Sequence, residues 1–255
     1  MTTMTAAPSR MAARTGATQF YFYMSLCCAA VAFVSFVPTY WLPMKAGTLK
    51  VNPIVHVHGA VFFGWSVFLV LQTWLASSGR IARHRSVGLI GVSFATAMTI
   101  FGTLVAINGL KEAAAIGMRD EAIAFVIVPL STIAFFAVVF TLAIANVRQP
   151  ELHKRLMLLA AISILDAPIA RWFLTFLAPP GAVGPPPVAA AIPPAVVAYL
   201  LVVAAMVFDW RTRGRPHAVY AIGGSALLLL NLLNVPISAS HPWHAFASGL
   251  LALAQ

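Results

Sequence analysis

Ala122 to Val147 reads AIAFVIVPLSTIAFFAVVFTLAIANV, 26 residues without a charged side chain. A helix rises about 1.5 Å per residue and the hydrocarbon core of a bilayer is about 30 Å thick, so about 20 such residues cross it. The run therefore predicts a membrane-spanning helix. Six further runs of the same kind lie around it. Their expected limits are Thr18 to Leu42, Pro53 to Gly79, Val87 to Ile107, Lys154 to Pro179, Ala190 to Trp210 and His217 to Ile237. With 61% hydrophobic and 9% charged residues, the chain reads as all-α: a polytopic bundle of seven transmembrane helices in contact with a lipid bilayer. Three segments are expected. Residues 1–17 form a tail, 18–237 the membrane domain, and 238–255 a short segment that lies in the interface or tucks against the bundle.

The net charge of +10 brings nucleic acid to mind. The basic residues, however, sit in short clusters between apolar runs, where lipid headgroups meet them. No nucleic-acid partner is expected. Placing the N-terminus in the cytoplasm puts eleven basic residues inside: Arg10, Arg14, Arg80, Arg83, Arg85, Arg148, Lys154, Arg155, Arg211, Arg213 and Arg215. Only Lys45, Lys50, Lys111 and Arg119 fall outside, and Arg171 lies within a span. This asymmetry predicts N-in and C-out. The opening apolar block is too long for a signal peptide and reads as a retained helix. The outer loop from Pro179 to Pro187 carries five prolines and no charge, so a stiff, extended connection is expected.

Small residues recur every four positions at Ala60 and Gly64, and at Gly91, Ala95, Thr99 and Thr103, the spacing that lets helices approach closely. Cys27 and Cys28 are neighbours and point in different directions, so they read as packing residues rather than a disulfide.

Candidate chemistry gathers at the outer face. His56 and His58 open the second span, and His241 and His244 follow the seventh. In a helix, residues two apart point about 200° apart, so only one of His56 and His58 turns into the bundle. His241 and His244, three apart, share a face. Four imidazoles at one surface are expected to hold haem b, or a copper or zinc ion; the alternative is interfacial anchoring around Trp243. Asp166 and Arg171 lie inside the fifth span with Pro168 between them. A charge there costs at least about 2.5 kcal/mol, so the two are expected to pair or to face a wet cavity. Asn231 and Asn234 either bond between helices or line the same cavity. At the inner face, His84 and His153 stand among arginines and a lysine. They read as part of a headgroup-binding rim or as haem ligands.

The run His56-Val57-His58-Gly59, Gln72-Thr73 and His84-Arg85-Ser86-Val87-Gly88, with Glu151 to Met157 and Asp166 to Trp172, resembles a family of polytopic bacterial inner-membrane proteins of uncharacterised activity. The likeness extends from about residue 20 to the tail. Histidines at opposite ends of adjacent spans are also loosely similar to cytochrome b561-type proteins, which hold two haems between four helices. The resemblance implies a membrane protein and names no substrate.

Three functions stay open on the sequence: a haem- or metal-binding redox or metal-handling protein, a transporter or channel-like protein working through Asp166 and Arg171, and a non-catalytic subunit or assembly factor of a membrane complex, or a homo-oligomer. A retinal protein is excluded because the seventh span has no lysine for a Schiff base. No nucleophile elbow, zinc-protease helix or phosphate loop pattern is present.

Overall fold

A computed structural model describes residues 10–254, and all of them that enter regular structure are helical. Residues 1–9 of the expected tail, and Gln255, lie outside the described residues. The elements in chain order are α1 (Arg10–Ser35), α2 (Leu42–Lys45), α3 (Pro53–Ser77), α4 (Ile81–Ala115), α5 (Arg119–Phe125), α6 (Ile127–Ala145), α7 (Pro150–Ser163), α8 (Asp166–Phe176), α9 (Ile192–Arg213), α10 (Gly224–Ser238) and α11 (His241–Ala254). They make up seven stretches long and apolar enough to cross a membrane, beginning at Gln19–Lys45 and ending at Val219–Ser238. One end of the bundle carries the turns α3–α4, α6–α7 and α9–α10 with Arg80, Arg83, Arg85, Arg148, Arg213 and Arg215; we call it the basic face.

Helix boundaries follow local chemistry. α3 starts where Asn52 accepts a hydrogen bond from the Ile54 amide at 3.1 Å and Pro53 fills the first turn. α9 stops at Gly214, whose φ of 77° suits a residue without Cβ. α4 is 35 residues long. It outruns the expected apolar segment at both ends because its polar ends, Arg83 and Arg85 on one side and Lys111 and Glu112 on the other, are exposed.

Two spans are interrupted. The fifth breaks at Ile164 and Leu165 into α7 and α8, since Pro168 has no N–H for the Ile164 carbonyl and its ring crowds that group. The fourth shows a gentler break at Val126, with Pro129 standing in the same relation to Phe125. The first span ends in a widened turn, Val37–Trp41, that contains Pro38. The proline loop is not uniformly extended: Gly181 and Gly184 adopt φ of 78° and 81° and turn it back over the bundle.

The main core lies between α1, α3, α4, α6, α7 and α9, around Trp65, Met98, Phe136, Leu159 and Val202, each no more than 1% exposed. Trp65 meets Phe136 and Phe140 edge-on, with centroids 5.7 and 5.6 Å away. The small residues serve packing in a specific way. A Cβ on Gly64 of α3 would stand 3.0 Å from the Phe94 ring of α4, and a Cβ on Gly91 of α4 would stand 3.0 Å from the Phe68 ring of α3. Each helix offers the other a ring and a notch. The two cysteines are unbonded, Cys28 buried and Cys27 exposed.

α11 packs on α4 and α5, with Ala247 and Leu251 buried between them. Trp243 Nε1 donates to the Ile123 carbonyl at 2.8 Å, so this tryptophan ties the end of the chain to the bundle.

A candidate binding cavity and two polar clusters

A cavity of about 1270 Å³ opens at the end opposite the basic face. Its walls come from α1, α3, α4, α6 and α8, and the proline loop closes over one side. Ligand sites usually span about 300–1,000 Å³ and combine apolar walls with a few polar groups. Here Phe36, Phe62, Phe63, Trp65, Val105 and Ile133 supply apolar surface, and His58, Glu112, Asp166 and Arg171 are among the polar groups.

Asp166 and Arg171 do not pair. Asp166 is buried, with Oδ2 accepting from Thr132 Oγ1 at 3.1 Å and Oδ1 from the Ala167 amide at 2.7 Å. The helix break at Leu165 makes this possible, because it leaves Asp166 at the start of α8 where amides are unclaimed. Arg171, one turn and a half further on, turns into the cavity. Its guanidinium lies 5.4 Å from the centroid of the Phe36 ring, and it is in no ion pair among the described residues.

His58 stacks on Phe62 with centroids 4.1 Å apart, and its Nδ1 is buried without a hydrogen-bond partner. His56, on the other side of α3, is exposed and shares a 2.8 Å hydrogen bond between Nδ1 and the Tyr40 hydroxyl. His241 is exposed at the start of α11 and His244 is half-buried, and neither lines the cavity. The four imidazoles expected to share one centre are thus not assembled. Among the described residues no three histidine, cysteine or acidic side chains converge to hold a metal ion. The reason is local: α3 turns His56 away from His58, and α11 leans on α4 and α5 rather than on α3. Asn231 bonds to the Leu227 carbonyl of its own helix at 3.0 Å, and Asn234 bonds to Ser131 of α6 at 3.0 Å. Asn234 braces α10 against α6, and neither asparagine lines the cavity.

Two clusters near the basic face were not legible as units in the sequence. In the first, Arg155 is 1% exposed and Asp209 is fully buried. The guanidinium of Arg155 holds both carboxylate oxygens of Asp209, with Nε donating at 2.9 Å, and Nη1 donates to Glu151 at 2.7 Å. Arg213 and Lys154 also reach Glu151, at 3.3 and 2.6 Å. The His217 amide adds a 3.3 Å contact to Asp209. Asp209 is the only acid in the sixth span, at the same distance from the basic face as Arg155, and that was the available signal. In the second cluster, His84 and His153 approach with ring centroids 6.4 Å apart.

No family model, curated protein or solved structure matches this chain.

Proposed function

We propose that this is a multi-pass protein of the bacterial inner membrane, N-terminus inside and C-terminus outside, whose outer cavity takes up an amphipathic anion. The ligand class is a molecule with a long apolar body and one carboxylate or phosphate. One observation carries the reading: Arg171 projects a guanidinium into a mainly apolar cavity and forms no ion pair among the described residues. Asp166, which would neutralise it, is occupied by Thr132 and Ala167. A charge kept in a membrane span without a partner is a functional group by default. The interrupted fifth span, whose second half begins at the cavity wall, is a feature that carriers use at their binding sites. The orientation is supported by the eleven-to-four distribution of basic residues.

The test is binding of a fluorescent long-chain carboxylate and of a long-chain phosphate monoester to purified protein in nanodiscs. A charge-assisted hydrogen bond contributes about 1.5–3 kcal/mol, so Arg171→Gln should weaken binding roughly 10- to 150-fold. Arg171→Lys should retain part of it, since the charge stays while the fork geometry goes. Equal affinity in wild type and Arg171→Gln would refute the proposal. So would equal affinity for the uncharged long-chain alcohol.

A further inference from the structure

We propose that His84 and His153 form a two-imidazole site for a single copper ion at the basic face. This site is separate from the cavity and does not depend on the reading of it.

The tautomers come first. His84 Nδ1 lies 3.2 Å from the Gln72 carbonyl, and His153 Nδ1 lies 2.8 Å from the Ala143 carbonyl. A carbonyl only accepts, so each Nδ1 must carry the hydrogen and each Nε2 must hold the lone pair. This is how ligating histidines are ordinarily fixed, with the far nitrogen donating to a backbone oxygen. The two arise in parallel. Each histidine sits in the first turn of its helix and reaches back over the preceding turn of chain, from α4 to α3 and from α7 to α6.

The spacing agrees with one ion. An imidazole nitrogen binds such a metal at about 2.0–2.1 Å, which puts two ring centroids roughly 6.2 Å apart when the ion lies between the rings. The observed separation is 6.4 Å, with the ring planes 73° apart. Neither Nε2 has a hydrogen-bond partner among the described residues.

A third group points the same way. Gln72 is 7% exposed, and both its amide oxygen and its amide nitrogen are buried without partners among the described residues. Buried amides are nearly always satisfied, so a polar occupant is called for beside it. The backbone carbonyl of this residue is the one that holds His84, and its side-chain oxygen faces Gly88, one turn along α4 from His84. Gly88 leaves open space there: a Cβ would meet only that oxygen, at 3.8 Å.

Charge selects the ion. Arg83, Arg85 and Lys154 flank the two histidines. The carboxylate beside His153, Glu151, is taken by Lys154, Arg155 and Arg213. A neutral nitrogen donor set in a positive field disfavours hard divalent cations, which want carboxylates. It favours a univalent ion content with two imidazoles, and of the metals that imidazole suits copper is the one with an ordinary univalent state.

The experiment is a Cu(I) competition titration of the full chain in detergent against a chromophoric chelator. Wild type should take up one equivalent. His84→Ala and His153→Ala should each weaken binding at least 100-fold, and the paired change His241→Ala with His244→Ala should leave it unaltered. X-ray absorption on the wild-type complex keeps the idea testable should either variant fail to fold; it should show two nitrogen scatterers at about 2 Å. Uptake that survives loss of both His84 and His153, a sulfur-dominated absorption spectrum, absence of uptake by wild type, or a haem Soret band that fills the same residues would each overturn the proposal.

Discussion

Replacing Asp209 by alanine should be among the most damaging single changes available in this chain. The structure lets its cost be worked out. The change removes two charge-assisted hydrogen bonds from Arg155 and leaves a guanidinium, 1% exposed, with Glu151 as its remaining carboxylate. Breaking a buried ion pair by deleting one partner costs about 3–5 kcal/mol, because the survivor keeps its desolvation penalty. At roughly 2–4 °C per kcal/mol for a chain of this size, Asp209→Ala should lower the midpoint of thermal unfolding by roughly 6–20 °C. Glu151 is the internal control. Its side chain is 59% exposed, so solvent screens its pairs and Glu151→Gln should cost no more than about 1 kcal/mol. The double change Arg155→Leu with Asp209→Leu removes both charges and should recover most of the loss, since apolar replacement of a whole buried pair is often neutral. Midpoints can be read from the monodisperse fraction of a fluorescent fusion after heating in detergent. The reasoning is refuted if Asp209→Ala is no worse than Glu151→Gln, or if the double leucine variant is as unstable as the single.

Two more outcomes follow from the packing and from the basic face. Gly91→Leu should destabilise by about 1–3 kcal/mol through overpacking against the Phe68 ring, and Phe68→Ala in the same chain should relieve part of it, read by the same heating assay. His217, between spans, is held below its ordinary pKa by partial burial and by the charges of Arg155 and Arg213, and its Nδ1 accepts from the Val219 amide at 3.2 Å. A histidine depressed in the fold favours the neutral form, so its contribution is present above the unfolded value of about 6.5 and is lost as pH falls through the folded value. Wild type should therefore lose stability on acidification below about pH 6.5, and His217→Gln should flatten that part of the profile.

Much of the fold could be read directly from residues. Seven spans follow from run length, and the helix start at Pro53 follows from capping chemistry. The expectation that Asp166 and Arg171 either pair or face a cavity contained the right branch. The sequence does not say which, because the break at Pro168 decides it by freeing the amide that occupies Asp166. The histidines show the limit more sharply. Topology grouped His56, His58, His241 and His244 by membrane face, but sharing a face fixes only depth. Rotation about α3 and the lean of α11 set the other two dimensions, and neither is encoded in spacing along one helix. His84 and His153 read as rim residues or haem ligands at one face, but their approach to each other is not encoded in the sequence for the same reason, since α4 and α7 meet only through what the intervening helices allow.

The reciprocal seats of Phe68 on Gly91 and Phe94 on Gly64 act as a two-pin joint between α3 and α4. Sliding either helix along its axis would unseat both rings together, so this pair behaves as a fixed post. The interrupted spans stand in contrast: the gap after Ser163, and the gentler break at Val126, give α8 and α6 pivots that α3 and α4 lack.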